Sequence, residues 1–238
     1  MKKLLLFIFL FSGLCSHAQF GTNVFGKDPI INMENFDKQR VHWGYYLGFN
    51  SYDFKFDYKT NPTADIVAKT VTGFNVGLVG NLRLFEFLDL RFEPGLYYTQ
   101  RNLTFNDPTL IRESEYLREV KSTYIHFPLL LKFSAKRTGN IKPYLLAGVS
   151  RSWNLDSNEK VKDDNMTGQR FRMKTWTNNY ELGVGIDLYF EYFKFSPSIR
   201  GVFGLDDELI RDNSAASPYT SNIDAMKTRA VFINFTFH

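Results

Sequence analysis

The amino-acid sequence predicts an all-β fold, an eight-stranded antiparallel up-and-down transmembrane β-barrel of the outer-membrane type. Three observations support this class: eight segments alternate apolar and polar residues, long polar connections alternate with short turns, and an export signal precedes them. The alternation is clearest in residues 180–201. One face of its first half is apolar, with Tyr180, Leu182, Val184, Ile186 and Leu188, whereas the residues between them are Glu181, Gly183, Gly185 and Asp187. A period of two puts the two sets on opposite faces of a strand.

The first 18 residues have the composition of a secretory signal peptide. Lys2 and Lys3 precede an apolar run at 4–11 that is shorter than the roughly 20 residues a membrane helix needs. Small residues end at Ala18, so we expect cleavage before Gln19. Lipidation at Cys15 is disfavoured because the preceding residue is a bulky leucine. The mature chain then has no cysteine, which excludes disulfides and thiol chemistry.

The composition indicates a chain that separates its apolar residues onto one face of each strand. Aromatic residues make up 17% of it, yet the mean hydropathy is −0.27. The formal net charge of +4 falls to +2 when Lys2 and Lys3 are removed, and a nearly neutral chain argues against nucleic-acid binding.

The strands are predicted in order along the chain. The first, at 41–50, is followed by a change of phase to Tyr52, Phe54 and Phe56, which indicates a bulge near Asn50 and Ser51. The remaining strands are predicted at 70–84, 88–99, 122–134, 141–155, the two halves of 180–201, and 228–238.

The connections predict the orientation of the barrel. Long polar loops are expected at 58–69, 102–119, 156–174 and 205–225, and short turns at 85–87, 135–140 and 189–192. In outer-membrane barrels the long loops lie outside the cell and the short turns in the periplasm. We therefore predict a signal peptide at 1–18, an irregular, exposed periplasmic arm at 19–40, and a barrel domain at 41–238, located in the outer membrane.

A soluble, lipocalin-like barrel is the alternative fold. The polar face of the strands is rich in Gly, Asn and Ser, which suits a crowded lumen better than a solvated surface. Aromatic residues cluster near the predicted strand ends, as in the girdles at the two membrane interfaces. Both features favour the membrane barrel. Eight strands enclose only enough space for their own side chains, which argues against general porin activity.

Eight polar residues on the predicted lumen face are interpreted as a structural polar network, in which His126 is hydrogen-bonded and the charges form ion pairs, because buried charges must be paired. Glu181 is expected opposite Arg200, and Asp187 opposite Lys194, on facing strands. The eight residues are Arg91, Glu93, His126, Lys132, Glu181, Asp187, Lys194 and Arg200.

Catalytic and metal sites are not predicted. His126 could activate a serine, as in outer-membrane lipid hydrolases or acyltransferases, but Ser134 on the same face is eight residues away, beyond Pro128. The other histidines of the mature chain, His42 and His238, lie on different strands, and the acidic stretches at 163–164 and 206–208 lack the ligand spacing of a calcium loop. The sequence thus predicts no enzyme activity, cofactor or metal.

Several segments resemble the PorT family. The most discriminating is residues 35–54, NFDKQRVHWGYYLGFNSYDF; the others are YIHFPLLLK at 124–132, KPYLLAG at 142–148, GVGID at 183–187 and FKFSP at 193–197. The resemblance covers essentially the whole mature chain. It implies an outer-membrane component of the type IX protein secretion and gliding system, without enzymatic activity, and it transfers no catalytic residues.

The predicted partners are outer-membrane lipids and other secretion-system proteins, periplasmic or in the outer membrane, and not nucleic acid. We expect the protein contacts at the loops, the turns or the N-terminal arm. Two other functions stay open: an outer-membrane lipid-modifying enzyme, and a small barrel with an adhesive or structural role.

Overall fold

The structure, a computed structural model, describes residues 30–60, 66–106, 110–162, 164, 171–214 and 217–238. The predicted signal peptide, the arm up to residue 29 and Asp163 lie outside these residues. A short 3-10 helix (Phe36–Lys38) precedes the first strand, and a single helical turn, α1 (Glu113–Tyr116), follows the fourth. The described residues contain no helix that is long and apolar enough to cross a membrane.

Within these residues, nine strands form one closed antiparallel sheet. They are β1 (Val41–Tyr58), β2 (Ile66–Arg83), β3 (Leu88–Phe92), β4 (Gly95–Phe105), β5 (Leu117–Ser134), β6 (Ile141–Asn154), β7 (Trp176–Tyr189), β8 (Lys194–Gly204) and β9 (Ile223–Phe237). The sheet closes because β1 pairs with both β2 and β9. Strands β3 and β4 form one barrel segment that is interrupted at Glu93 and Pro94, since both pair with β2 and β5. The predicted eight-stranded up-and-down barrel is confirmed.

The outer surface carries a belt of apolar side chains. Leu145, Val184 and Ile199 expose 58%, 55% and 54% of their surface, respectively, on neighbouring strands. Aromatic pairs lie toward the strand ends, such as Tyr45 stacked on Phe237 with ring centres 5.4 Å apart. An apolar exterior with aromatic ends is the surface that a lipid bilayer requires.

The strands extend beyond this belt on the side of the long loops. β1, β2 and β5 each have 18 residues, whereas about 9–11 tilted residues cross the hydrocarbon core of a membrane. Three of the four predicted loops are correspondingly shorter, because β2 begins at Ile66, β4 continues to Phe105, β5 begins at Leu117 and β9 begins at Ile223. The loop predicted at 156–174 keeps its length, since β6 ends at Asn154 and β7 begins at Trp176.

The bulge predicted near Asn50 and Ser51 is wrong. β1 pairs with β2 without interruption up to Ser51 and with β9 up to Asp57. Tyr52 and Phe54 are only 3% and 5% exposed, on the same interior face as Asn50. The strand keeps its phase, and its apolar side changes from the exterior to the interior where it leaves the membrane.

Candidate functional site: the barrel interior and its periplasmic mouth

The eight polar residues predicted in the lumen lie together in the half of the barrel next to the short turns, and we name them the lower network. Arg200 lies between two carboxylates, with Nη1 2.8 Å from Glu93 Oε2 and Nε 3.0 Å from Glu181 Oε2. Arg91 Nε also pairs with Glu93, and His126 Nε2 lies 2.6 Å from Glu181 Oε1. All five side chains are almost fully buried. Two arginines thus neutralise two glutamates across the lumen.

The other three members are Asp187 and the two lysines beside it, Lys132 and Lys194. The carboxylate Oδ2 lies 2.6 Å from Lys132 Nζ and 3.9 Å from Lys194 Nζ, and the carboxylate Oδ1 accepts a 2.6 Å hydrogen bond from Ser196. Lys132 reaches Asp187 from β5, two strands away from β7. This contact was not anticipated from the sequence, since only barrel closure defines which residues meet across the lumen.

A serine, a histidine and a carboxylate meet at His126. Its Nδ1 lies 2.8 Å from Ser152 Oγ, and its Nε2 contacts Glu181. Ser152 is therefore the hydroxyl partner, and not the Ser134 considered from the sequence. A nucleophilic serine must also reach its substrate. His126 and Glu181 are both 0% exposed, and Tyr97 and Phe232 pack against the imidazole with ring centres 5.1 and 5.7 Å away. This geometry holds the histidine in the lumen and presents no group to lipid or solvent.

Aromatic side chains fill the space beside the lower network, and we name them the aromatic layer: Tyr46, Tyr52, Tyr97, Tyr124 and Phe232. The Tyr46 and Tyr97 hydroxyls are 3.0 Å apart, and both rings are completely buried. Gly95 permits this packing, because a Cβ at that position would lie 2.0 Å from the Tyr46 hydroxyl oxygen.

The residues before β1 lie across the periplasmic mouth. Phe36 stacks on His42 with ring centres 4.6 Å apart, and Lys194 Nζ is 4.7 Å from the Phe36 ring centre. Asp37 accepts 2.8 Å hydrogen bonds from the Tyr189 hydroxyl and pairs with Lys142 Nζ at 3.3 Å. Burial opposes ionisation of Asp37, but Lys142 and the Tyr189 hydroxyl hold the pKa of its carboxyl below the usual value.

Arg137, in the turn between β5 and β6, holds the same segment. Its guanidinium donates to the Asn32 and Met33 carbonyls and to Asn140 Oδ1, and it lies 3.7 Å from the centre of the Tyr189 ring. The described part of the predicted arm is thus irregular apart from its 3-10 turn. Its backbone and the Phe36 and Asp37 side chains contact the barrel directly.

The half of the interior next to the long loops is apolar, and we name it the upper core. It consists of Phe54, Leu103, Phe105, Val120, Phe171, Met173, Leu209, Tyr219, Ile223 and Met226. Glu208 lies beside it, and both of its carboxylate oxygens accept 3.0 Å hydrogen bonds from Thr228. Burial raises the pKa of the Glu208 carboxyl.

The acidic loop residues are engaged in protein contacts. Asp206 accepts hydrogen bonds from Asn178, Glu208 from Thr228, and Asp207 pairs with Arg211 at 3.1 Å. In the described ranges, no three His, Cys, Asp or Glu side chains are grouped so that they could hold a metal ion.

A closed sheet with an apolar exterior, a filled interior and long loops at one end defines an integral outer-membrane β-barrel. The chain belongs to the outer membrane protein β-barrel domain family, whose sequence profile matches residues 19–209. Its location is the outer membrane.

The chain also resembles several solved structures at low sequence identity. OprG from Pseudomonas aeruginosa is 14% identical, with 83% of this chain and 93% of that chain covered and a TM-score of 0.44. AlkL, determined by solid-state NMR in DMPC bilayers, is 14% identical, with 89% and 92% covered and a TM-score of 0.43. Ail from Yersinia pestis is 12% identical, with 84% and 98% covered and a TM-score of 0.36. No curated protein sequence matches this chain.

Proposed function

We propose that this barrel is a non-enzymatic component of a protein-secretion machinery, the type IX secretion and gliding system that the PorT resemblance implies. It acts through contacts with other secretion-system proteins, and exported proteins do not pass through its lumen. The observation that carries the proposal is the position of the most discriminating PorT-like segment, residues 35–54. It supplies both the plug of the periplasmic mouth and the first strand.

The filled interior supports an indirect role in export. The lower network, the aromatic layer and the upper core occupy successive levels of the lumen. A protein substrate would have to break buried ion pairs and open a packed apolar cluster, and both steps are energetically costly.

The anchoring of the arm supports a contact with another protein in the periplasm. Ile30 and Ile31 are 78% and 57% exposed immediately before the anchored residues Asn32 and Met33. Apolar side chains that are held in place and exposed to the periplasm suit recognition by another protein.

Burial argues against the lipid-modifying enzyme. Ser152, His126 and Glu181 have hydrogen-bonding geometry related to that of a catalytic triad, but all three lie on the lumen side, where His126 and Glu181 belong to the lower network. Lipid substrates would approach the opposite face of the sheet.

Gene deletion tests the proposal. We expect secreted proteins to accumulate as precursors in the cell and the lipid A profile to stay unchanged. Complementation with Ser152→Ala, which removes the hydroxyl but keeps the His126–Glu181 contact, should restore export fully. Normal secretion in the deletion strain would refute the secretion role, and an altered lipid A profile that Ser152→Ala fails to restore would establish the enzyme.

A second complementation tests the arm. Arg137→Ala should release the arm and reduce export while the barrel still assembles, whereas Lys136→Ala removes the same charge from an exposed position in the same turn and should have no effect. Equal export by the two variants would show that export does not depend on the anchored arm. The reconstituted wild-type barrel should conduct no ions.

A further inference from the structure

Arg101 is a buried cation at the junction between the aromatic layer and the upper core. Its side chain is 0% exposed, and its guanidinium carbon lies 3.9 Å from the centre of the Phe54 ring and 5.5 Å from that of Tyr52. Nη2 donates hydrogen bonds of 3.1 and 2.7 Å to the Ser122 and Tyr124 hydroxyls. Neutral groups thus provide all the contacts that Arg101 makes.

The charge of Arg101 has no carboxylate partner in the described part of the chain. The buried cations of the lower network differ in this respect: Arg91 and Arg200 pair with Glu93, and Lys132 pairs with Asp187. A buried charge without a counter-ion is strongly destabilising.

Glu208 is the acidic residue whose charge interacts with Arg101, but the two side chains do not form an ion pair. Its two oxygens are occupied by Thr228. Burial raises the pKa of the Glu208 carboxyl even though Arg101 acts in the opposite direction. Glu208 therefore forms no direct ion pair with Arg101, and the guanidinium keeps only neutral groups as its contacts.

Buried hydrogen-bond donors without a partner occur on Arg101 and on two residues near it in the interior. Nε and Nη1 of Arg101 have no partner among the described residues, and neither do the buried hydroxyls of Tyr52 and Thr99. Thr99 lies on the interior face of β4, two residues before Arg101, and Tyr52 lies beside the guanidinium. Buried donors require an acceptor.

We propose that Arg101, with the Tyr52 and Thr99 hydroxyls, binds a small inorganic anion of the size and charge of chloride inside the barrel. Water would satisfy the donors but would leave the arginine charge unbalanced. A monovalent ion balances it fully. The rings of Phe54 and Tyr124 and the apolar side chain of Leu103 surround the site and exclude a large, strongly hydrated ligand.

The bound anion would stabilise the junction between the aromatic layer and the upper core. Removal of the anion should therefore lower the thermal stability. The test uses the full-length mature protein in detergent, in sodium chloride or in sodium gluconate at equal ionic strength. The gluconate ion is too large for the site. We expect a melting temperature at least about 2 °C higher in chloride, since about 1 kcal/mol of ligand stabilisation shifts Tm by about 2–4 °C in a chain of this size.

Variants locate the effect. Arg101→Gln should abolish the difference between chloride and gluconate, and Tyr52→Phe, which removes one unpaired hydroxyl and keeps the ring, should reduce it. Lys121→Gln removes the same charge from a side chain that is 70% exposed, and should retain the full difference. If Arg101→Gln does not fold, the difference in melting temperature between chloride and gluconate in Tyr52→Phe alone tests the proposal.

A bromide-soaked crystal gives the position directly, and we expect an anomalous peak beside the Arg101 guanidinium. Equal melting of the wild type in chloride and gluconate, a full chloride effect in Tyr52→Phe, or no bromide peak at Arg101 would each overturn the proposal.

Discussion

The lower network and the upper core fill the same tube with opposite chemistry. In the lower half the interior is charged and hydrogen-bonded, and the exterior is apolar, as at Leu47 and Phe49, which are 51% and 56% exposed. In the upper half the interior is apolar, as at Phe54 and Leu103, which are 5% and 0% exposed. There the exterior carries charges, such as the Lys55–Asp57 pair.

The difference shows that the apolar face of a strand points toward the least polar surroundings. Lipid lies outside the lower half, so the apolar side chains point outward there. Water surrounds the upper half, so the interior becomes the apolar side, as in a soluble barrel. A single strand such as β1 crosses both environments and changes its polarity without any change in its backbone.

Asp187→Ala should give the largest effect, because the lower network depends on charge pairing. The substitution leaves Lys132 and Lys194 buried without their carboxylate. Breaking a buried ion pair in this way costs about 3–5 kcal/mol. We expect a loss of this size in the free energy of unfolding, measured by urea titration in lipid vesicles. Asp57→Ala, in the exposed pair with Lys55, is the control and should have no measurable effect. Equal stability of the two variants would show that the lower network is not an ion-pair structure.

Leu103→Ala tests the upper core. There the loss in free energy of unfolding comes from a cavity and not from an unpaired charge. Truncation of a fully buried leucine lowers the free energy of unfolding by about 2–5 kcal/mol. The loss should appear as faster proteolysis of the extracellular loops while the heat-modifiable barrel persists on gels. Leu47→Ala, a lipid-facing position, is the matched control and should have a smaller effect, because lipid occupies the vacated space. A larger effect at Leu47 would reverse the assignment of the apolar faces.

The sequence was most informative where only one face of a strand is apolar and the other is polar. Tyr180 to Leu188 illustrates this, since the alternation there predicts both the strand and the inward direction of Glu181 and Asp187. The same rule failed at Tyr52 and Phe54, because a change of environment and a bulge give the same pattern in one strand.

Contacts between distant strands could not be predicted from the pattern. Ser152 meets His126, and Lys132 meets Asp187, only because the sheet closes with a particular register. Likewise, the segment before β1 lacks any periodicity, and nothing in it predicts that Arg137 would bind its carbonyls.

Ile186→Arg tests the exterior of the same two regions. Ile186 is 42% exposed within the apolar belt, and an arginine facing the hydrocarbon core costs about 2–4 kcal/mol. The matched control is Val67→Arg, because Val67 is also an exposed, outward-facing residue, but lies in the part of β2 above the belt. We expect a reduced folded yield in vesicles for Ile186→Arg and a normal yield for Val67→Arg. Equal yields would place the membrane boundary elsewhere.

Gly185→Ser, at the adjacent lumen-facing position, is not a neutral control for Ile186→Arg. The sequence alone predicts that a hydroxyl is tolerated there. A Cβ at residue 185 would however lie 2.4 Å from the Cζ and hydroxyl oxygen of Tyr144. We therefore expect Gly185→Ser to destabilise the barrel as well.

The smallest expected effect is the dependence on pH, and it has opposite signs at the two ends of the barrel. Burial raises the pKa of Glu208 above its ordinary value of 4.5, so its stabilising contribution is complete below pH 4.5 and is lost as the pH rises through the folded pKa. The Asp37 carboxyl is partly buried, which opposes its ionisation, but Lys142 and Tyr189 hold its pKa below 3.8, so its contribution is present above pH 3.8 and is lost as the pH falls through the folded pKa. Urea unfolding between pH 7 and pH 4.5 should therefore show a wild-type gain in stability that Glu208→Gln lacks. Asp37→Asn should follow the wild type over this range and differ in its pH dependence only below about pH 3.8. A Glu208→Gln variant with the pH profile of the wild type would show that this carboxyl is not buried in the folded barrel.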